Sequence, residues 1–334
     1  MPLTQAELLD IQADCLADDV AIDLQKMSLW TMDQARIYFE SGGEVEPMPA
    51  APEFTAPSTK GTRATGTTPW LACLEKKDNS LYRIIVFSWT GNRGGQGSAH
   101  NLRRSPFNVS QELGADFEVY EVALPGRGTR LKEPLRTSMA TLVQEAAEAL
   151  GSALADGKPY AFVGFSFGAI LAYEVAIAIA AAAPGQGPAL LCTVSAEGPS
   201  WPKRSGTLHS ASEDAFRQVL SDKGGTEFIL KDPGMSKMYL PVIRADLTLE
   251  ETYVPSKPAA LAVPIIAVIG AKPGRDKEHS AVTADDAELW IDATSSKAAS
   301  KVVVCGEVDW YVLQEAAGTR AVFEEVGTFL RACK

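Results

Sequence analysis

Residues 160–168, Tyr160-Ala161-Phe162-Val163-Gly164-Phe165-Ser166-Phe167-Gly168, lead an apolar run into a GxSxG pentapeptide, and a long apolar segment follows at once. The pentapeptide alone says little, because glycine and serine are common. Placed between a buried strand and a helix it is restrictive, since two glycines then permit the sharp turn that lifts a serine hydroxyl out of the sheet. The helix is signalled by Ala169, Leu171, Ala172, Val175 and Ala176, with no breaker before Pro184. Ser166 is therefore a nucleophile candidate. The bland alternative is a small-residue turn between two ordinary elements.

The rest of the chain supplies the scaffold such a turn requires. After Trp70 the pattern alternates strand and helix, which predicts a mostly parallel sheet covered on both faces, an α/β architecture. Strands are expected near 81–87, 117–123, 159–164, 189–195, 263–269 and 300–305, and helices near 138–154, 168–182, 284–294 and 314–331. Between Gly198 and Pro258 no strand signal occurs, and short helices are expected at 214–220 and 236–239. Residues 4–42 carry helical signals, including a capping box at Thr31-Met32-Asp33-Gln34. Residues 44–69 turn to Pro, Ala, Thr and Gly, with prolines at 47, 49, 52, 57 and 69, and read as a linker. The expected organisation is a helical extension over 1–43, a linker over 44–69 and one catalytic domain over 70–334.

Composition excludes several classes. The 334 residues carry a formal charge of −11, which argues against nucleic acid, whose phosphates demand a basic surface. The five cysteines, at 15, 73, 192, 305 and 333, lack metal-type spacing, and those at 192 and 305 read as small core residues within strands. No metal or dissociable cofactor is implied. No segment reads as a membrane span, because a GxSxG turn interrupts the longest apolar stretch and Glu174 sits in its helix. The N-terminal residues form neither a basic leader nor an arginine-rich transit peptide, so a cytoplasmic location is expected. A monomer is expected as well.

Further segments sharpen the reading. Phe87-Ser88-Trp89-Thr90-Gly91-Asn92 ends the first expected strand, Leu124-Pro125-Gly126-Arg127-Gly128 follows the second, and Leu240-Pro241-Val242-Ile243-Arg244-Ala245-Asp246 precedes Glu251 and Tyr253. Together with the Ser166 turn they resemble the type II thioesterases. These are stand-alone α/β-hydrolases that cleave acyl chains from the phosphopantetheine arm of carrier proteins in polyketide and nonribosomal peptide synthesis. The resemblance runs from about Trp70 to the C-terminus. It implies an α/β-hydrolase fold, a helical lid near 198–258, and an acyl carrier protein or its acyl-phosphopantetheine as partner. Arg103, Arg104, Arg127, Arg130 and Lys132 form the best basic cluster for such docking. Arg127 and Arg130 equally suit a structural role, locking the turn through carbonyls and carboxylates, and Arg244 and Asp246 suit a mutual brace.

A serine hydroxyl needs an imidazole to take its proton and an acid to orient the imidazole. The chain has three histidines. His100 lies in a Gly/Ser-rich segment, and His209 lies where relatives often carry a histidine of no catalytic role. His279 follows the strand expected over 263–269. In the family that loop delivers the catalytic aspartate, and the match to Val282, Leu289 and Trp290 puts His279 at the aspartate position. Relatives end the last strand with a histidine before aromatics, where this chain has Asp309 before Trp310 and Tyr311. The two partners are thus exchanged in position, giving Ser166, His279 and Asp309 as one triad. Alternatives are His279 with another acid, Glu197 first and then Glu307 or Asp276, or a degenerate site.

For the oxyanion hole, one donor is the N–H of Phe167 at the helix start, and the second is expected from Trp89 or Thr90, with Gly91 allowing close approach. The family normally carries a proline–aromatic pair where this chain has Ser88-Trp89. The expected activity is hydrolysis of an acyl thioester through an acyl-serine. An esterase or acyltransferase on the same scaffold, and a carrier-binding module without turnover, are the competing readings.

Overall fold

The computed structural model describes residues 68–92, 113–255, 261–272, 282–309, 312 and 316–333, apart from positions 76, 78, 203, 205, 224 and 225. The expected N-terminal helices, the capping box at Thr31 and most of the linker lie outside these residues. Among the described residues seven strands form one sheet: β1 (Leu71–Glu75), β2 (Tyr82–Phe87), β3 (Phe117–Val122), β4 (Tyr160–Phe165), β5 (Leu190–Val194), β6 (Ile265–Lys272) and β7 (Lys301–Asp309). Their order is β1-β3-β2-β4-β5-β6-β7. All neighbours are parallel except β1, which runs antiparallel to β3.

Every residue of β2, β3, β4 and β5 is buried, as a parallel sheet covered on both faces requires. Alternation along the strands divides the core in two. Ile85, Phe87 and Phe162 face one cluster with Leu171 and Trp290, while Ile84, Val86 and Val163 face another with Phe323 and Leu330. The first face is covered by α1 (Met139–Ala153), α2 (Phe167–Ala182) and α6 (Ala284–Asp292), and the second by α7 (Ala316–Ala332). Ser138 caps α1 by accepting from the Thr141 N–H. Phe167 through Ala176 in α2 are all buried, which explains a helix apolar on every side.

Two elements depart from the sequence reading. Strand β1 was not anticipated, because a five-residue edge strand leaves little periodicity to read. The helices α3 (Glu213–Lys223) and α4 (Glu227–Lys231) lead to α5 (Pro233–Glu251), expected only as a short helix at 236–239. Pro241 lies inside α5. An interior proline costs about 3 kcal/mol by removing an N–H and crowding the preceding turn. The helix continues because Leu240, Val242, Ile243, Ala245 and Leu249 are buried on either side of it. Ser212–Pro241 belongs to a smaller compact unit, and the described residues before Ser212 and after Pro241 form the larger one. Within the smaller unit Ser236 Oγ donates to the Ile229 carbonyl at 2.7 Å and accepts from Arg217 at 3.2 Å.

A charged cluster closes the N-terminal end of the sheet. Arg83, 2% exposed on β2, donates to Glu118 at 2.6 Å and to both oxygens of Asp156 at 2.6 and 2.5 Å. Lys158 adds a bond to Glu118 at 3.0 Å. The Arg83 hydrogen bond holds the Asp156 carboxyl below its ordinary value, and burial of Glu118, which alone would raise it, is outweighed by Lys158 and Arg83. Carboxylates with lowered folded values give stability that is complete above the unfolded values of 3.8 and 4.5 and lost as pH falls through the folded ones. Arg83→Met should therefore lower the melting temperature at neutral pH and flatten its decline below about pH 4. Thermal melts across that range test this, and an equal drop at every pH would contradict it.

Candidate active site

Ser166 stands between β4 and α2 with φ 51° and ψ −123°, a conformation that L-residues rarely adopt. Such strain costs about 1–3 kcal/mol and survives only where the surroundings enforce it. Here its N–H donates to the Val194 carbonyl of β5 at 2.9 Å, and its carbonyl accepts from Ala169 at 2.9 Å. The two glycines of the motif do distinct work. A Cβ on Gly164 would lie 2.4 Å from Ala169 Cα, so the helix could not turn back onto its own strand. One on Gly168 would lie 2.2 Å from the Phe87 carbonyl oxygen and 2.5 Å from that of Ser88. The first turn of α2 thus rests against the backbone leaving β2, which brings the loop 88–92 beside Ser166. Ser166 is half-buried, and among the described residues nothing hydrogen-bonds its hydroxyl.

The loop is tied at almost every residue. Ser88 Oγ donates to Glu121 Oε1 of β3 at 2.6 Å, and Glu121 is fully buried. Thr90 Oγ1 donates to Glu250 at 3.2 Å, and the Gly91 N–H donates to Asp246 Oδ2 at 2.8 Å. Arg127 donates to the Asn92 carbonyl at 3.0 Å and grips Asp246 with two bonds, of 2.7 and 2.6 Å. Gly91 has φ +79°, and a Cβ there would meet Ile243 at 2.7 Å. Among the described residues, the N–H groups of Thr90 and Phe167 have no acceptor. A small cavity behind the loop is lined by Ser88, Trp89, Asn92, Glu121, Arg127 and Leu171.

Residues 107–330 match the family model for the thioesterase domain. The chain belongs to the thioesterase domain family. A human protein, "S-acyl fatty acid synthase thioesterase, medium chain", is 30% identical over 233 residues, 68% of this chain and 80% of that one. "Thioesterase PikA5" of Streptomyces venezuelae is 30% identical over 60% of this chain and 68% of its own length. Among solved structures, the "RedJ-Thioesterase from the Prodiginine biosynthetic pathway in Streptomyces coelicolor" superposes with a TM-score of 0.61 at 26% identity, covering 76% of this chain and 93% of that one. The family and the mostly parallel sheet establish the α/β-hydrolase-type fold and a thioester hydrolase.

In this thioesterase the segments expected to complete the triad are described only in part. His279 and His100 lie outside the described residues, as do Asp276, Arg103 and Arg104. Asp309 ends β7, where it pairs with Lys272 at the end of β6, and its side chain is not among those described. The matched anchors are in place: Val282 packs on the core and Trp290 is fully buried, its Nε1 donating to the Ala196 carbonyl at 2.9 Å. That bond fixes the turn carrying Glu197, whose carbonyl also accepts from Arg204 at 2.9 Å. His209 is engaged elsewhere, with Nδ1 2.6 Å from Glu251 Oε2.

Two expectations need correction. Arg244 and Asp246 do not brace each other: Arg244 donates to the carbonyls of His209 and Ala211, and Asp246 pairs with Arg127. The basic docking cluster also shrinks. Arg127 and Arg130 are buried, and Arg130 is committed to the Ala123 carbonyl, to Glu133 and to the face of Trp70 at 4.0 Å. The structural alternative for both arginines is the one observed, and Lys132 is the exposed cation that remains among the described members.

Sequence reasoning missed Glu121 and Glu250. A carboxylate inside an apolar strand just before the LPGRG turn was the available signal for the first. For Glu250 there was none, since its partner lies 160 residues away. No helix among the described residues is long and apolar enough to cross a membrane. Cys192 is a core residue, its thiol pushed up by burial, whereas Cys305 is only half-buried on the edge strand.

Because Gly168 admits no Cβ, Gly168→Ala must push the end of β2 away from α2. The expected result is a melting temperature several degrees lower and thioester hydrolysis reduced at least about ten-fold. Calorimetry and a thiol-release assay measure both, and an unaltered variant would contradict the close approach.

Proposed function

We propose that this chain hydrolyses acyl thioesters carried on the phosphopantetheine arm of acyl carrier proteins, with Ser166 as the nucleophile. The observation that carries the reading is the strained Ser166 turn flanked by two N–H groups, Phe167 and Thr90, that have no acceptor among the described residues. The relatives named for fatty acid synthase and for prodiginine biosynthesis support a carrier-bound acyl substrate.

In the reaction, His279 takes the Ser166 proton as Oγ attacks the thioester carbonyl. The tetrahedral oxyanion is held by Phe167 N–H and by Thr90 N–H, the latter chosen over Trp89. Collapse breaks the C–S bond, and the thiol leaves with the proton from the imidazolium. Water then gives a proton to the same imidazole and attacks the acyl-serine, releasing the free acid and restoring the Ser166 hydroxyl. Asp309 orients His279 and supports its positive form. This exchange of places is supported by the backbone: the loop after β6 and the end of β7 leave the sheet at the same edge, two and three strands from Ser166. At about 4.8 Å per strand, β6 and β7 lie roughly 10 and 14 Å from β4 across the sheet. Glu197 is the second candidate for the acid, because its turn follows β5 and is rigidly held. Acyl-chain preference is assigned to the helical segment between β5 and β6.

Hydrolysis of an acyl-pantetheine by the parent, Ser166→Ala, His279→Ala, Asp309→Ala and Glu197→Ala proteins tests the assignment. Loss of Ser166 or His279 should reduce kcat by about 10⁴-fold or more, and loss of Asp309 by a large part of that. Activity indifferent to His279 overturns the triad. A strong loss at Glu197 with Asp309 silent transfers the acid role to Glu197.

A further inference from the structure

The assigned reaction leaves unexplained why a buried ion pair from two distant segments ends on a single loop amide. Asp246 is 0% exposed and Arg127 4%. Asp246 Oδ2 accepts both from Arg127 Nη1 at 2.7 Å and from the Gly91 N–H at 2.8 Å, while Oδ1 takes Arg127 Nη2 at 2.6 Å. The same Arg127 Nη1 reaches the Asn92 carbonyl at 3.0 Å. The pair therefore grips the loop from both chemical sides, taking a donor at Gly91 and satisfying an acceptor at Asn92. Gly91, at φ +79°, leaves no room for a Cβ against Ile243, so the loop also packs on the helix turn that presents Asp246.

We propose that Asp246, oriented by Arg127, is a positioning residue for catalysis: by holding the Gly91 N–H it aims the preceding amide, Thr90, at the carbonyl oxygen on Ser166. Adjacent amides in this turn compete for direction, and one that is bonded to a buried carboxylate cannot rotate toward substrate. Fixing Gly91 thus decides which N–H remains as a donor. An oxyanion donor acts on the developing charge, so its misplacement lowers kcat and leaves ground-state binding largely intact. The inference rests on the proposed Ser166 reaction.

The test compares two double variants that both lack the ion pair. Asp246→Asn with Arg127→Met keeps a carbonyl acceptor for Gly91, whereas Asp246→Leu with Arg127→Met keeps none. With acyl-pantetheine as substrate, the Leu variant should show a kcat about ten- to a hundred-fold below the Asn variant, with KM within a few-fold and similar melting temperatures. Equal kcat in two folded variants, or a difference confined to KM, overturns the proposal and leaves the pair a structural one. Parent and Ser166→Ala proteins run alongside: if hydrolysis does not depend on Ser166, the reaction reading itself fails and this proposal with it. Should a double variant not fold, amide hydrogen exchange of the parent, followed by NMR, reports on Gly91 directly. A protected Gly91 beside a freely exchanging Thr90 supports the assignment, and a freely exchanging Gly91 overturns it.

Discussion

The close approach of α2 to the end of β2 is the constraint on which the site depends. It requires that position 168 lack a Cβ, because the carbonyl oxygens of Phe87 and Ser88 occupy that space. It requires the same of position 164, against Ala169. With both satisfied, Ser166 is driven into a conformation it would not choose, and the loop after β2 has nowhere to lie except beside it. The strain of about 1–3 kcal/mol is borne by a surface of buried apolar contacts on both faces of the sheet. A local cost at the reacting residue is thus supported by packing that has no chemical part.

That division explains which features were legible in the sequence. Strands β2 to β7 and helices α1, α2, α6 and α7 could be read because their residues repeat with the period of a buried strand or a one-sided helix. The Ser166 turn was legible because its glycines are local. Strand β1 was not, since its place comes from pairing with β3 rather than from its own pattern. The length of α5 was not, because Pro241 is a local signal overridden by burial of its neighbours. The pairing of Arg127 with Asp246 was beyond reach for a related reason. Both residues were singled out, but 119 positions separate them, and Arg244 stood two residues from Asp246 as the nearer choice.

Polar groups around the loop follow one plan. Glu121 comes from the sheet and holds Ser88, while Asp246 and Glu250 come from the helix and hold Gly91 and Thr90. Three carboxylates converge on five consecutive loop residues, in a protein whose net charge of −11 already disfavours bringing acids together. Arg127 compensates Asp246, and the hydroxyls of Ser88 and Thr90 supply donors to the other two. Each carboxylate is thereby given a hydrogen bond from the loop itself, so the loop's conformation and the burial of Glu121 and Asp246 stabilise one another.

Such an arrangement is hard to justify by stability alone. Replacing a buried ion pair with well-packed apolar side chains is often neutral or stabilising by roughly 1–4 kcal/mol, whereas deleting one partner costs about 3–5 kcal/mol. An apolar substitute for Asp246 and Arg127 could fill the same volume, but it could not accept from Gly91 or donate to Asn92. What it would forfeit is direction. Hydrophobic packing determines how near a loop lies, and a hydrogen bond of 2.8 Å from one chosen amide to a carboxylate determines which way its neighbours point. A hole for an oxyanion needs the second property, because its donors must already face the place where charge will develop. The glycines around Ser166 therefore set the distance between the two halves of the site, and the buried acids set its orientation.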